Sequence, residues 1–297
     1  MTISIIILTK NAGDVFKSVL DGIFTQNIKF LEVIIVDSGS KDNTLKIAKE
    51  YPVKIIEIQP EEFGHGITRN FGASLAKGNH IVYLTQDAIP NDINWLKELM
   101  EPFKDSNIAG VYGRQIPKKD ENIIDKFFYL SLYSDKDIMW KNHKNLGVDT
   151  IFSDVNSAIR KDILLKYPFD NDIIVSEDHE WAHRVLKEDY AIFYNSKASV
   201  VHSHSYNLKN AFKRHFDIGV SYNKISIVGT TYRFIKKGIQ SHLREQSFII
   251  KNGYFYLVSY CIIKDIFKLM AFMLGKNERL LPKVVKAKLS NYERYWI

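Results

Sequence analysis

Short runs of β-branched and aliphatic residues alternate with segments of helical spacing through the first two thirds of the chain. Ile3–Leu8 reads as a strand, Val15, Phe16, Val19, Leu20, Ile23 and Phe24 recur at helical spacing, and Leu31–Val36 reads as a strand again. The alternation continues with Val53–Ile58, a helix through Arg69–Ala76, the run Ile81–Leu84, a helix around Trp95–Phe103 and the run Ile108–Tyr112. This order predicts an α/β fold built on a Rossmann-like, doubly wound, mostly parallel sheet.

Residues 113–150 follow the pattern less well. Ile123–Leu132 has helical spacing, but the polar stretch after it has little periodicity, and a substrate-facing loop is expected there. The alternation resumes with Ile151–Arg160, a helix from about Glu177 to Glu188 and two short strands, Ala191–Tyr194 and Ser199–Val201. Past Tyr206 the chain turns helical and basic. Without a repeat or a Gly/Ser linker, residues 207–297 read as an extension packed on a body formed by residues 1–206.

Composition adds a charge asymmetry. The chain of 297 residues is 45% hydrophobic and 25% charged, with a formal net charge of +7. Residues 205–297 carry 17 Lys and Arg against 5 Asp and Glu, and the residues before them carry 24 against 29. A basic, aromatic-containing tail points to an anionic partner such as lipid headgroups, a lipid diphosphate or nucleic acid, or else to a solvated helical surface. Cys261 is the single cysteine, and MTISIIILTK lacks the basic region and cleavage site of a signal peptide, so a reducing, cytoplasmic setting is expected. Tyr254–Leu274 is long enough to suggest a membrane span, but Lys264, Asp265 and Lys268 lie inside it, at about 3 kcal/mol each at a bilayer centre. The three fall on one helical face, which suits an amphipathic helix at the inner face of the cell membrane, or packing on the body or on a second copy in a homodimer.

In doubly wound sheets ligands sit beyond the carboxyl ends of the strands, which makes Thr9, Asn11, Asp37 and Asp87 the first candidates for chemistry. Asp37, in IIVDSGSKDNT, either accepts a hydrogen bond from a base or ribose or caps its own turn. In GHGITRNFG, Arg69 stands where a dinucleotide fingerprint needs its third glycine, which argues against a nucleotide-dependent oxidoreductase. Arg69 near a helix start suits a diphosphate, with a surface arginine as the alternative. Asp87 is delivered to the sheet edge, where a carboxylate can hold a divalent cation.

Glu177 and Asp178 open a helix, where one of them can serve as a general base or both can simply complement the helix dipole. In VHSHSYN, His202 and His204 lie two apart. They share a face if the strand persists, as paired metal ligands or as neutral hydrogen-bonded side chains.

Taken in order, SIIILTKNAG, EVIIVDSGSKDNT, TRNFGASLAKG, TQDAIP and SEDHEW resemble glycosyltransferase family 2, of GT-A fold, over about residues 2–206. EFGHGITRNFG with LTQDAIP is similar to rhamnosyltransferase-type members, which use dTDP-L-rhamnose to build cell-surface polysaccharides. The resemblance implies a donor half over about residues 1–112 and an acceptor half over about 113–206. It implies nucleoside contacts for Thr9, Asn11 and Asp37, and contacts near the diphosphate for Arg69 and Asn70. It further implies metal and donor binding for Asp87, the catalytic base for Asp178, and a base-supporting or acceptor-side place for Glu177.

Thr85-Gln86-Asp87 stands where the family has D-x-D, so one carboxylate remains. Asp87 with His202 or His204 would hold Mg²⁺ or Mn²⁺, imidazole favouring Mn²⁺. The implied partners are a nucleotide-sugar donor and a glycan or lipid-linked glycan acceptor, with no nucleic acid. The competing readings are another donor, such as a UDP-hexose, and a non-catalytic nucleotide-sugar or nucleic-acid binding protein.

Overall fold

The computed structural model describes residues 1–141, 151–225 and 230–297. Its centre is a nine-stranded sheet. In chain order the strands are β1 (Ile3–Thr9), β2 (Glu32–Asp37), β3 (Lys54–Glu57), β4 (His80–Leu84), β5 (Ile89–Pro90), β6 (Ile108–Ile116), β7 (Ile138–Lys141), β8 (Asn156–Arg160) and β9 (Ala191–Val201). They lie side by side as β3-β2-β1-β4-β8-β6-β9-β5, with β7 also paired to β9.

The apolar runs split between two faces because successive strand residues point to opposite sides. Ile3, Ile5 and Ile7 enter one core together with α1 (Val15–Phe24), while Ile6 enters the other. The first core also takes Trp95, Leu96 and Leu99 of α4 (Trp95–Met100). The second takes Ala73 of α3 (His65–Leu75) and Trp181, Ala182, Val185 and Leu186 of α7 (Glu177–Lys187). The remaining helices of the body are α2 (Thr44–Ala48), α5 (Ile123–Leu132) and α6 (Lys161–Lys166).

Several boundaries differ from the pattern-based expectation. The helix expected over Arg69–Ala76 begins at His65, since Gly64 is extended and serves as its N-cap. The two strands expected at Ala191–Tyr194 and Ser199–Val201 are one strand, β9, whose pairing with β6 is interrupted by a register shift at Gly113/Arg114. The helix expected at Ile123–Leu132 is α5, with the same bounds, and the loop expected after it contains β7, with residues 142–150 lying outside the described residues.

The sheet is also less uniform than the alternation suggests. β1 to β4, β6 and β9 share one direction, but β8 is antiparallel to both of its neighbours, and β5 and β7 run against β9. Reversal of β8 has a functional consequence. Its first residue, Asn156, lies opposite Leu84, the last residue of β4, so the approach to β8 sits at the rim where the parallel strands end.

The tail forms α8 (Leu208–Lys224), α9 (Thr230–Lys251), α10 (Val258–Lys276) and α11 (Lys283–Leu289). It is anchored to the body at several points. Lys264 pairs with Asp125 at 2.9 Å, His65 Nε2 meets the Tyr292 hydroxyl at 2.7 Å, and Tyr295 donates to the carbonyl of Asp172 at 2.9 Å.

Helices α8 and α10 approach backbone to backbone through Gly219 and Gly275. A Cβ at Gly275 would lie 2.1 Å from the Phe216 carbonyl oxygen, and one at Gly219 would lie 2.3 Å from that of Phe272. Replacing either glycine by alanine is expected to cost about 1–3 kcal/mol, because backbone cannot yield as a side chain can. Gly238→Ala, where the added carbon meets nothing, should leave stability unchanged or raise it slightly. Chemical denaturation of the three variants checks the contrast.

Candidate active site

Parallel strands β1, β2 and β4 end at one rim and deliver Thr9, Asp37 and the Thr85-Gln86-Asp87 turn to it. Asp37 is fully buried. One of its oxygens accepts the backbone N–H groups of Gly39 at 2.9 Å and Ser40 at 2.8 Å, and the other accepts the hydroxyls of Thr9 at 2.8 Å and Ser40 at 2.6 Å. Asn11 takes the left-handed conformation, φ 50°, which asparagine tolerates better than most residues. Its side chain accepts the Lys41 N–H at 2.8 Å, and its own N–H donates to Ser40 Oγ at 2.8 Å. Two loops that would otherwise move separately are thereby laced into one rigid edge.

Thr85 occupies the place of the missing carboxylate, and beside it stands Gln86. Gln86 accepts the Lys10 N–H at 2.8 Å and donates to the Lys10 carbonyl at 3.2 Å, tying the end of β4 to the end of β1. Asp87 then meets both histidines. Its carboxylate oxygens lie 3.5 Å from His202 Nε2 and 3.3 Å from His204 Nε2, and the two Nε2 atoms are 3.1 Å apart. The shared strand face expected for the histidines does not exist, since β9 ends at Val201. They converge instead because the loop is held by Ser203 Oγ, which accepts the Lys118 N–H, and by the Tyr129 hydroxyl, which accepts the His204 N–H.

Gln115 decides the chemistry of His202. Its amide donates to Tyr133 and Ser153, and its carbonyl faces His202 Nδ1 at 2.9 Å. Nδ1 therefore carries the proton, and the Nε2 lone pair points at Asp87 and His204. Burial pushes His202 down to about 4 despite the attraction of Asp87, and it lowers His204 as well, so both rings are neutral near pH 7. With His202 Nε2 unprotonated, three acceptor atoms facing one another at 3.1–3.5 Å are satisfied either by a proton on His204 Nε2 or by a cation between them. The spacing fits adjacent positions around a single ion with bonds of about 2.0–2.2 Å. Asp87 and His204 remain partly open to solvent, which leaves room for substrate oxygens.

The second centre is a group of carboxylates around Arg69, which is 8% exposed. The guanidinium contacts Glu177 through one terminal nitrogen, and its Nε lies 3.3 Å from Asp154. Asn70 beside it clamps the backbone of Phe169, donating to the carbonyl at 2.9 Å and accepting the N–H at 3.0 Å. Both residues thus have internal partners. Asp178 is half-buried; one oxygen accepts the Asp154 N–H at 3.1 Å and the other accepts the His179 N–H at 2.8 Å. Ser176, just before the helix, adopts φ 66°, a strained value that turns the chain sharply into the acidic first turn of α7.

Segment 152–156 joins the two centres. Asp154 holds Arg69, the Asp154 N–H holds Asp178, Ser153 Oγ holds Gln115, and the Val155 carbonyl accepts the Thr85 N–H at 3.1 Å. Asp87 and Asp178 thereby belong to one connected site, with Asp37 at the far end of the same rim. Asp154 was not among the residues expected from the sequence, and neither were Gln115, Lys118 and Arg214. The positive charges of Lys118 and Arg214 both reach the two histidines.

The rim thus gathers strand-end carboxylates, two histidines and the acidic start of α7 at the place where doubly wound sheets bind their ligands. Residues 4–167 match Glycosyl transferase family 2, and the chain belongs to that family. It is 34% identical to the O-antigen chain rhamnosyltransferase RfbN of Salmonella typhimurium, over 100% of this chain and 96% of that protein. It is also 34% identical to the O-antigen chain rhamnosyltransferase WbaN of Salmonella anatum, over 89% and 86%. Among solved structures it resembles a mannosyltransferase from Pyrobaculum calidifontis in complex with GDP-Man and Mn²⁺, with TM-score 0.59, 16% identity and coverage of 99% of this chain and 81% of that one. It also resembles TarS residues 1–349 from S. aureus, with TM-score 0.54, 17% identity and coverage of 100% and 88%.

The Arg69 group makes stability depend on pH. Burial pushes Asp154 up to about 7 and Glu177 up to about 8; Arg69 pulls both down, and Asp178 pushes both up again. Folded values above the ordinary 3.8 and 4.5 mean that the folded state keeps protons the unfolded chain has released. The stabilisation is therefore full below about pH 4 and is lost as pH rises toward about 8. We expect the melting temperature to fall between pH 6 and 9, and Asp154→Asn to flatten that slope. Differential scanning fluorimetry across pH checks both.

Proposed function

We propose that this glycosyltransferase transfers L-rhamnose from dTDP-L-rhamnose, with inversion, onto a surface polysaccharide or its lipid-linked precursor. The sugar rests on likeness to the two O-antigen rhamnosyltransferases along nearly their whole length. The chemistry rests on one observation: three side chains that could hold a divalent cation and a half-buried carboxylate are linked through the same five-residue segment at one rim.

In this reading the edge formed by Thr9, Asn11 and Asp37 receives the nucleoside, with Asp37 shaping the loop whose backbone and hydroxyls face the base. Asp87, His202 and His204 would hold Mn²⁺ or Mg²⁺, which would supply positive charge opposite the diphosphate. Lys118 and Arg214 add positive charge on the same side. Asp178 accepts the proton of the acceptor hydroxyl as that oxygen bonds to the anomeric carbon and the bond to the diphosphate breaks. Arg69 and Asn70 act through other groups. Arg69 holds Asp154 and Glu177 against α3, and so keeps Asp178 in place near two other carboxyls. Asn70 fixes the loop at Phe169. Glu177 supports the base by holding Arg69.

Two measurements separate these roles. Asp178→Asn should retain donor and Mn²⁺ binding while transfer drops by about 10²-fold or more. His202→Ala should instead weaken Mn²⁺ binding, read by calorimetry, and donor binding with it. Transfer by Asp178→Asn near the wild-type rate would remove the base assignment. A thermal-shift panel of nucleotide sugars should give the largest rise with dTDP-L-rhamnose, and a larger rise with a UDP-hexose would reassign the donor.

A further inference from the structure

Helices α9 and α10 are amphipathic in the reverse of the usual sense. On α10 the charged residues turn inward. Lys264 is 4% exposed and bonds to Asp125, while Asp265 receives His242 from α9 at 2.7 Å and Lys268 at 2.9 Å. The other side of the same helix presents Ile262, Ile263, Ile266, Leu269 and Met270, all between 40% and 53% exposed. Helix α9 repeats the arrangement, with Glu245 buried and Ile239, Leu243 and Ile250 exposed. The turn joining the two helices bends at Gly253, φ 83°, and exposes Tyr254, Phe255 and Tyr256.

Isolated apolar residues on a surface are ordinary, but an apolar face on α10 joined by exposed apolar residues on α9 and in the turn between them marks a contact with something other than water. On α10 the charges of Lys264, Asp265 and Lys268 are spent on internal pairs. No helix among the described residues is long and apolar enough to cross a membrane, so a surface-lying geometry is the one available to these helices at a bilayer.

We propose that these faces of α9 and α10 lie on an anionic lipid bilayer, with the aromatic turn at headgroup level. Charge selects the occupant. Lys236, Arg244 and Lys251 are exposed on α9 beside its apolar residues, and residues 205–297 carry 17 basic against 5 acidic side chains. Such a surface is attracted to anionic headgroups and repelled by a second copy of itself. Tyrosines and phenylalanine at the turn suit the interface between acyl chains and water. Docking is independent of the sugar identity; only its use, to meet a lipid-linked acceptor, rests on the function proposed above.

Flotation of the full chain with vesicles tests the idea. Vesicles containing phosphatidylglycerol should carry most of the protein to the top of the gradient, and pure phosphatidylcholine vesicles several-fold less. Ile263→Glu with Ile266→Glu should abolish flotation while leaving the melting temperature and donor hydrolysis unchanged. Phe255→Ser, in the turn, provides a second variant should the first fold poorly. Wild-type protein that stays at the bottom with anionic vesicles, or variants that float as well as wild type, would overturn the proposal. So would a dimer in light scattering that the same substitutions dissolve, which would place a second copy on these faces. Loss of rhamnose transfer to a water-soluble acceptor, with flotation intact, would count against the function and not against docking.

Discussion

Arg69 is the interaction on which the rest of the site depends. Its guanidinium is nearly sealed from water and lies among Glu177, Asp154 and Asp178, three carboxyls from two separate segments. Burial alone would lower its affinity for a proton, but Glu177 and Asp154 raise it, so the cation persists and the carboxyls can gather around it. Taking these charges from water is costly, and the cost is recovered only while every partner is in place. The group therefore locks α3, the approach to β8 and the start of α7 in one relative position. The base proposed at Asp178, which would have to meet a hydroxyl within hydrogen-bond reach, requires that kind of rigidity.

The reversed direction of β8 supplies the other constraint. A parallel strand in its place would put Ser153, Asp154 and Val155 at the opposite rim. Because β8 runs against β4 and β6, this short segment passes directly beneath both chemical centres and bonds to each. Departures on either side of the site are consistent with this plan. Gln86, beside the position where Thr85 replaces a carboxylate, makes a two-way bond to the Lys10 backbone, and Gln115 sets the tautomer that turns the His202 Nε2 lone pair toward Asp87. Asp87, His202 and His204 are left as a group that could hold a metal ion.

In the tail, helical spacing placed Lys264, Asp265 and Lys268 on one face but said nothing about which way that face points. Asp125, 139 residues away from Lys264, decides it, since a buried lysine needs an opposite charge. The same inward turn leaves the isoleucines outside.

Sequence alone determined the first half of the sheet and the identity of its rim. Ile3–Leu8, Leu31–Val36 and Ile81–Leu84 are local patterns, and the side-chain alternation within each needs no distant partner to be read. Thr9, Asp37 and Asp87 followed, because a residue just past a parallel strand lies at its carboxyl end. Tertiary structure decided the direction of β8, the partners of Arg69 and Asn70, and the meeting of Asp87 with His202 and His204. Strand direction depends on which neighbours a chain segment finds, and an ion pair between residues 69 and 177 depends on how the chain closes in space. Neither leaves a local trace in hydrophobic spacing, which is why Asp154 and Gln115 became visible only in the fold.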